Sequence, residues 1–229
     1  MSKYWSKQRL ISNLISSQNY TINNVVQIGG NDGLQDDFLR ELIIQNEWNT
    51  HILEPVDMYF ESLKETYSDY PYVICCPYAI LESSGKKQIN FVPPLENHAW
   101  VQGCSTFYPK KNCVGVEYSF VTEEVQKHLQ NKTELCVVES LTWGDFVENY
   151  NIENIDMIVM DTEGCEWEIL QQISLSQHDV KIIILEYHNH SESEQKKILK
   201  KLENEGMKII PIITDGEKSE HDLIAYRSE

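Results

Sequence analysis

Three acidic residues stand close together in the second half of the sequence. Asp161, Glu163 and Glu166 belong to the hexapeptide D-T-E-G-C-E, which directly follows the apolar run Met157–Met160. Such a run is typical of a strand buried on both faces of a parallel sheet, and open α/β sheets bind ligands at the carboxyl ends of their strands. Asp161 and Glu163 are therefore candidate catalytic residues and candidate ligands of a divalent metal such as Mg²⁺. For Glu166 we favour the alternative that it stabilises the N-terminus of the next helix.

A glutamate and a histidine follow the next apolar run, 182–185. Glu186 and His188 are two positions apart, so in a strand their side chains point to the same face. If this strand lies beside the one that ends at Asp161, they line the same cleft. A histidine near a carboxylate can take a hydroxyl proton, which makes His188 a candidate catalytic residue and Glu186 a candidate substrate ligand. A strand-end histidine with satisfied hydrogen bonds is the open alternative, and we expect His190 to be exposed.

A glycine-rich turn separates a predicted strand, 25–28, from a predicted helix. Its spacing is G-G-x-x-G, which differs from the G-x-G-x-x-G of dinucleotide-binding folds. Glycine lets the backbone turn sharply and approach a ligand, and the free N–H groups of the following helix favour a carboxylate. A purely structural turn is the alternative. The candidate cofactor ligands here are Gly29, Asn31, Asp32 and Gly33.

Glu54 ends the second predicted strand, about 20 positions after Gly33. An acidic residue at that place accepts hydrogen bonds from ribose hydroxyls in nucleotide-binding α/β folds. Asp57 competes for this role, but it follows Pro55 and is typical of a helix N-cap. Glu54 is therefore the candidate ribose ligand.

The elements that must position these residues are short β-branched runs alternating with helical patterns. The predicted strands are 25–28, 51–53, 72–74, 88–92, 157–160, 182–185, 207–214 and 222–226. This alternation predicts an α/β three-layer sandwich with a mostly parallel sheet. A turn at Asp215-Gly216 would join the last two strands, so the final strand should be antiparallel. A charged helix is predicted over 192–205, ending before Gly206.

The segment 93–116 has little periodicity and interrupts the alternation. Long irregular segments inside a domain often cover binding sites, so we interpret it as a lid-like insertion. Ser105 and Tyr108 are its candidate substrate ligands. A plain surface excursion is the alternative.

Length and composition favour a single domain, 1–229, with an N-terminal helical extension at 1–22. The net charge of −17 would repel phosphate backbones, so nucleic acid is not an expected partner. No apolar run approaches the roughly 20 residues that span a bilayer, and the first residues do not resemble a signal peptide. We expect a cytoplasmic protein that does not bind membranes. The six cysteines form no C-x-x-C pair and are expected to be reduced thiols.

Together these motifs resemble the FkbM family of S-adenosylmethionine-dependent methyltransferases. The family shows a G-x-N-x-G turn, here 29–33, and an E-P step, here Glu54-Pro55. Its most specific motif, D-x-E-G-x-E, matches 161–166, and its acidic-x-His step matches 186–188. The similarity extends from about residue 24 to about residue 226.

The resemblance implies a class I methyltransferase (Rossmann-like) fold, bound S-adenosylmethionine, and methyl transfer to a small molecule, usually to an oxygen of a sugar or secondary metabolite. It places Asp161 nearest the sulfonium, as a cofactor ligand. The family commonly has an acidic residue where this chain has Gln27, which leaves Asp32 or backbone carbonyls to hold the methionine amino group. The expected partner is a small-molecule substrate, and the protein could be a monomer or a homodimer.

Two other functions are compatible with such a scaffold. One is a nicotinamide-dependent oxidoreductase, because fold alone does not determine chemistry. The other is a non-catalytic nucleotide-binding scaffold protein.

Overall fold

Two β-sheets organise the described part of the chain. A computed structural model describes residues 3–35, 37–119, 121–213 and 220–228. The strands in these ranges are β1 (Asn24–Ile28), β2 (Asn49–Leu53), β3 (Val73–Cys76), β4 (Ala79–Ile80), β5 (Gly85–Phe91), β6 (Glu134–Leu141), β7 (Met157–Met160), β8 (Ile182–Glu186), β9 (Met207–Ile213) and β10 (Glu220–Arg227). The α-helices are α1 (Lys3–Ser17), α2 (Arg40–Asn46), α3 (Asp57–Thr66), α4 (Glu123–Lys132), α5 (Trp143–Asn149), α6 (Glu166–Leu170) and α7 (Glu192–Asn204).

The large sheet has the strand order β3-β2-β1-β7-β8-β10-β9. Strands β3, β2, β1, β7 and β8 are parallel to one another, whereas β10 is antiparallel to both β8 and β9. The predicted mostly parallel sheet with an antiparallel final strand is therefore confirmed. The predicted turn at Asp215-Gly216 lies outside the described residues.

Helices cover both faces of the large sheet, because alternate residues of each central strand point to opposite sides. Val25, Val159 and Ile184 pack with α1, α2 and α3 on one face. Val26, Ile158 and other strand residues pack with α5, α6 and α7 on the opposite face. Both faces of β7 and β8 are thus buried, as their uninterrupted apolar sequences predict.

Helix ends follow local capping rules. The predicted charged helix is α7, which begins after Ser191 with a reciprocal capping box to Glu194. Thr122 and Thr142 cap α4 and α5 through their hydroxyl oxygens. The predicted N-terminal helix is α1, and it buries Ile11 and Leu14 against the large sheet.

The small sheet has the strand order β4-β6-β5. Of its three strands, the sequence analysis predicted only β5. Strand β6 leaves Leu135 and Val137 exposed and buries Val138, so its apolar residues do not mark one inward face. The segment 93–116 contains two short 3₁₀ helices, Ala99–Cys104 and Pro109–Lys111. An isolated bridge between Asn90 and Thr106 attaches it to β5.

Within the described ranges, no helix is both long and apolar enough to cross a bilayer.

Candidate functional site

A cavity of about 480 Å³ opens where the central parallel strands end. Its volume lies in the range of roughly 300–1,000 Å³ that is usual for small-molecule sites. The wall combines strand ends of the large sheet with residues of the 93–116 segment, α1 and β10. The sequence-predicted residues that line it are Gly29, Asn31, Glu54, Ser105, Asp161, Glu163, Glu186 and His188.

The glycine turn brings the backbone of β1 against the end of β7. Gly29 has a φ of 88°, a conformation that side chains disfavour. A Cβ atom at Gly29 would lie 1.8 Å from the carbonyl oxygen of Asp161. Only glycine therefore fits here, and this close approach puts the turn and Asp161 in one site.

Two residues of the predicted turn lie away from the cavity wall. The Asp32 carboxylate accepts hydrogen bonds from the backbone N–H groups of Leu34 and Gln35 and from the Gln102 amide. Gly33 packs against Leu63 and Tyr67 of the α3 region. Both residues shape the turn, and neither is among the described residues that line the cavity.

Glu54 is buried at the carboxyl end of β2 and points back to the turn. One carboxylate oxygen accepts a hydrogen bond from the Asn31 backbone N–H at 2.9 Å, and the other accepts one from the Val56 N–H at 2.8 Å. Burial raises the pKa of Glu54 to about 7. Each carboxylate oxygen can accept a further hydrogen bond, so Glu54 can hold ligand hydroxyls.

Gln27 occupies the position at which the resembled family commonly has an acid. Its side chain is buried in the cavity wall and hydrogen-bonds to Asp37. Among the described residues, Gln27 Oε1 has no hydrogen-bond partner. A buried acceptor without a partner is costly, so this oxygen fits a ligand donor such as an ammonium group.

Asp161, Glu163 and Glu186 form an acidic cluster in the cavity. One carboxylate oxygen from each lies within 4.8 Å of those from the other two. Burial raises the pKa of Glu163 and of Glu186 well above the ordinary value, and the negative charges of their neighbours raise it further. Both shifts favour the protonated form of these two carboxyl groups, which suits a general acid or base.

Two asparagine amides support the cluster. Asn112 donates to Glu163 Oε2 at 3.2 Å, and Asn189 donates to Glu163 Oε2 at 3.2 Å and to Glu186 Oε2 at 2.8 Å. These residues come from the 93–116 segment and from the loop after β8. Sequence patterns did not identify them, because an asparagine in a loop has many structural uses.

His188 lies at the edge of the cluster, as its spacing from Glu186 predicts. Its Nδ1 atom is 3.4 Å from Glu186 Oε1, and a quarter of its side chain, 25%, is exposed. The histidine is thus close to the carboxylate and accessible from the cavity.

Glu166 and His190 form a fully buried pair below the site. His190 Nε2 is 2.8 Å from Glu166 Oε2, and both side chains have an exposure of 0%. Although burial opposes it, the hydrogen bond and charge of His190 hold the pKa of Glu166 below its ordinary value. The expectation that His190 is exposed was wrong, because its ring is buried where it pairs with Glu166.

The Glu166 carboxylate also accepts hydrogen bonds from the backbone N–H groups of Thr162 and Gly164 and from the Thr162 hydroxyl. It thereby fixes the loop that carries Asp161 and Glu163. The favoured interpretation of Glu166 as a structural residue agrees with these contacts.

The 93–116 segment contributes part of the cavity wall. Ser105 lines the cavity, and its hydroxyl accepts a hydrogen bond from the Val92 N–H at 3.0 Å. Tyr108 is not among the described lining residues, and its ring lies 4.7 Å from the Lys111 ammonium. Of the two predicted substrate ligands, Ser105 therefore lies in the cavity wall, whereas Tyr108 lies beside Lys111.

Two lining residues come from elements at opposite ends of the chain. Lys7 of α1 and Asp222 of β10 form a buried ion pair in the cavity wall. The sequence analysis missed both, because no local motif joins residues so far apart.

Comparison with solved structures places this fold among methyltransferases. A methyltransferase FkbM from Methylobacillus flagellatus KT superposes with a TM-score of 0.56 at 13% identity, over 90% of this chain and 44% of that one. The chain thus spans less than half of that protein. A magnesium protoporphyrin IX methyltransferase from Synechocystis PCC 6803, solved with bound S-adenosylmethionine, gives 0.48 at 11% identity, over 98% and 81% of the two chains. The first of these confirms the class I, Rossmann-like fold.

Comparisons with curated proteins and with protein families gave different results. No curated protein matches it. The methyltransferase FkbM domain matches residues 27–209, which is most of the chain and includes the glycine turn, Glu54 and the acidic cluster. The chain belongs to the FkbM methyltransferase domain family.

Proposed function

We propose that this protein is an S-adenosylmethionine-dependent methyltransferase that methylates an oxygen of a small molecule, such as a sugar or secondary metabolite. The observation that carries the proposal is the buried Glu54 carboxylate, which faces the cavity beside the glycine turn in a chain of the FkbM family. Glu54 would accept hydrogen bonds from the ribose hydroxyls of the cofactor.

The other cofactor contacts follow from the same wall. Gly29 and Asn31 would lie against the methionine part, and Gln27 Oε1, which has no partner among the described residues, would accept a hydrogen bond from its ammonium group. This role for Gln27 replaces the one expected of Asp32, whose carboxylate is occupied by the turn. Asp161 would lie nearest the sulfonium.

The bound cofactor would supply a methyl group on a positively charged sulfur. The charge on that sulfur disappears during transfer, so a wall that held the charge too strongly would slow the reaction. In the acidic cluster the raised pKa values of Glu163 and Glu186 limit the negative charge near Asp161. Holding the acceptor oxygen in line with the methyl group would provide much of the rate.

Removal of the acceptor proton is assigned to the cluster and His188. His188, 3.4 Å from Glu186, would take the hydroxyl proton, and Glu163 would assist. Glu186 and Ser105, which both line the cavity, would contact the acceptor.

A second arrangement for the same step is a divalent cation held by Asp161 and Glu163. Their carboxylate oxygens and that of Glu186 are close enough to share one ion. The amide donors of Asn112 and Asn189 already bind the Oε2 atoms of Glu163 and Glu186, which leaves fewer oxygens for an ion and favours the arrangement without metal. Methyl transfer that survives a chelator would support this choice, and loss of transfer restored by Mg²⁺ would overturn it.

Calorimetry with S-adenosylhomocysteine, S-adenosylmethionine and NAD tests the cofactor. We expect the first two to bind and Glu54→Ala to weaken them, whereas Glu65→Gln, an exposed change on α3, should have no effect. Binding of NAD without S-adenosylmethionine would favour an oxidoreductase instead. Binding without methyl transfer to any hydroxylated acceptor, unaltered by Asp161→Ala, would indicate a non-catalytic scaffold.

A further inference from the structure

Two cysteine thiols touch each other in the cavity wall. Cys104 ends the first 3₁₀ helix of the 93–116 segment, and Cys113 follows the second. Their Sγ atoms are 2.9 Å apart, although both are free thiols. Both residues line the cavity, so a small reagent that enters it can reach them. The methyl transfer proposed for this protein involves neither thiol.

The surrounding contacts already hold the two cysteines in position to form a bond. Asn112 donates to the Cys104 carbonyl oxygen at 2.9 Å, and its own Oδ1 accepts from the Val114 N–H at 3.0 Å. A disulfide has an S–S bond of about 2.05 Å, so the sulfur atoms need to approach by only about 0.9 Å from 2.9 Å. Such a shift is within the reach of side-chain rotation.

The two thiols differ in reactivity. A hydrogen bond with Cys104 lowers the pKa of Cys113, whereas the same hydrogen bond and burial raise the pKa of Cys104. Cys113 is also the more exposed of the two, since it is half-buried whereas Cys104 is only 3% exposed. Since the thiolate is the nucleophile, Cys113 should react first.

We propose that Cys104 and Cys113 form a reversible disulfide that controls ligand binding in the cavity. The Cys113 thiolate attacks a low-molecular-weight disulfide such as oxidised glutathione and releases one glutathione thiolate. The Cys104 thiolate then attacks the Cys113 sulfur and releases the second glutathione. Two protein thiols are oxidised and one glutathione disulfide is reduced, and the two protons that the protein thiols lose are taken up by the two glutathione thiolates.

The bond would fix the part of the segment that contacts the site. Ser105 and Asn112 lie between the two cysteines, and Asn112 donates to Glu163 of the acidic cluster. A ligand that binds to an already ordered segment loses less conformational entropy. Oxidation should therefore tighten ligand binding in the cavity.

Mass spectrometry of the full chain tests the disulfide site directly. The protein is equilibrated with reduced and oxidised glutathione, alkylated and digested. Wild type should lose two of its six alkylatable thiols and yield a Cys104–Cys113 cross-link. Cys104→Ser should trap glutathione on Cys113, Cys113→Ser should leave Cys104 unmodified, and Cys136→Ser, a change in β6, should behave as wild type. Retention of all six thiols, or a cross-link between other cysteines, would overturn the proposal.

Ligand binding tests the coupling to the cavity, and this step rests on the proposed function. Oxidised wild type should bind S-adenosylhomocysteine about fivefold more tightly than reduced protein, and Cys113→Ser, which the same treatment leaves unmodified, should lose that difference. Equal affinities of the two forms would overturn the coupling. Failure of both forms to bind would contradict the proposed cofactor instead. The mapped cross-link would still show whether the disulfide forms.

Discussion

Lys7 of the N-terminal helix forms an ion pair with Asp222 of the last strand, inside the wall of the cavity. The side chains of Lys7 and Asp222 are only 10% and 12% exposed, and the Lys7 ammonium also lies 5.1 Å from the ring centre of Phe38. In the large sheet Asp222 is paired with Glu186 of the acidic cluster. Lys7 therefore supplies a positive charge to Asp222, whose own negative charge contributes to the raised pKa of Glu186.

Replacement of Lys7 by methionine should destabilise the protein. The change keeps most of the apolar stem but leaves the Asp222 carboxylate buried without its counter-charge, which costs about 3 kcal/mol. Denaturant unfolding at pH 7 measures this loss. The matched control is Lys127→Met, which removes an exposed ion pair with Glu123 and should change stability by less than about 0.5 kcal/mol. Equal effects of the two changes would contradict a special role for the buried pair.

Replacement of Glu186 by glutamine should stabilise the protein more in alkaline than in acidic solution. Burial and the nearby charges of Glu163 and Asp161 raise the pKa of Glu186, so the folded state binds this proton more tightly than the unfolded chain. Stability is then lost as the pH rises from the unfolded pKa of about 4.3 through the raised folded pKa. Glutamine carries no charge at either pH and its oxygen can still accept from Asn189.

Thermal unfolding of Glu186→Gln at pH 5 and pH 8 measures this difference. We expect a higher Tm than wild type at pH 8 and a smaller increase at pH 5, where the loss in wild type has only begun. Glu65→Gln should show no such dependence, because Glu65 is exposed on α3. A gain at pH 5 that disappears at pH 8 would have the wrong sign for a carboxyl group with a raised pKa.

The sequence predicted the large sheet well, because the physical cause of each strand is local. The runs at β7 and β8 are apolar throughout and buried on both faces. Glu54 and Asp161 were predictable for a related reason, since each directly follows a predicted strand and must emerge at its carboxyl end.

The remainder of the site depends on contacts between distant segments. Lys7 and Asp222 meet only after α1 and β10 pack on the sheet, and Asn112 reaches Glu163 from an irregular segment. His190 follows a strand and looks polar and exposed in sequence, but its ring pairs with Glu166, the first residue of α6. Periodicity describes one element at a time and carries no information on such pairs.

Replacement of Gly29 by alanine should be far more damaging than the same change at Gly85. Both glycines have positive φ values, 88° and 112°, so both variants incur backbone strain. At Gly85 a Cβ meets no atom within 4 Å, whereas at Gly29 it would lie 1.8 Å from the Asp161 carbonyl oxygen. Strain alone costs about 1–2 kcal/mol, so Gly85→Ala should remain folded. Denaturant unfolding and ligand calorimetry compare the two, and equal losses would show that the approach of the turn to Asp161 is unimportant.

Ligand affinity should depend on pH through the protonation of Glu54. Burial raises its pKa to about 7, and the ionised carboxylate is the better acceptor for ribose hydroxyls. The affinity for S-adenosylhomocysteine should therefore increase from pH 6 to pH 8 and approach a plateau above the pKa. Glu54→Gln should weaken binding at pH 8 by about 1–3 kcal/mol and remove most of the pH dependence. Isothermal calorimetry across this range measures both effects, with Glu65→Gln as the control. An unchanged pH profile in Glu54→Gln would remove Glu54 from the ligand site, because no other change distinguishes that variant from wild type.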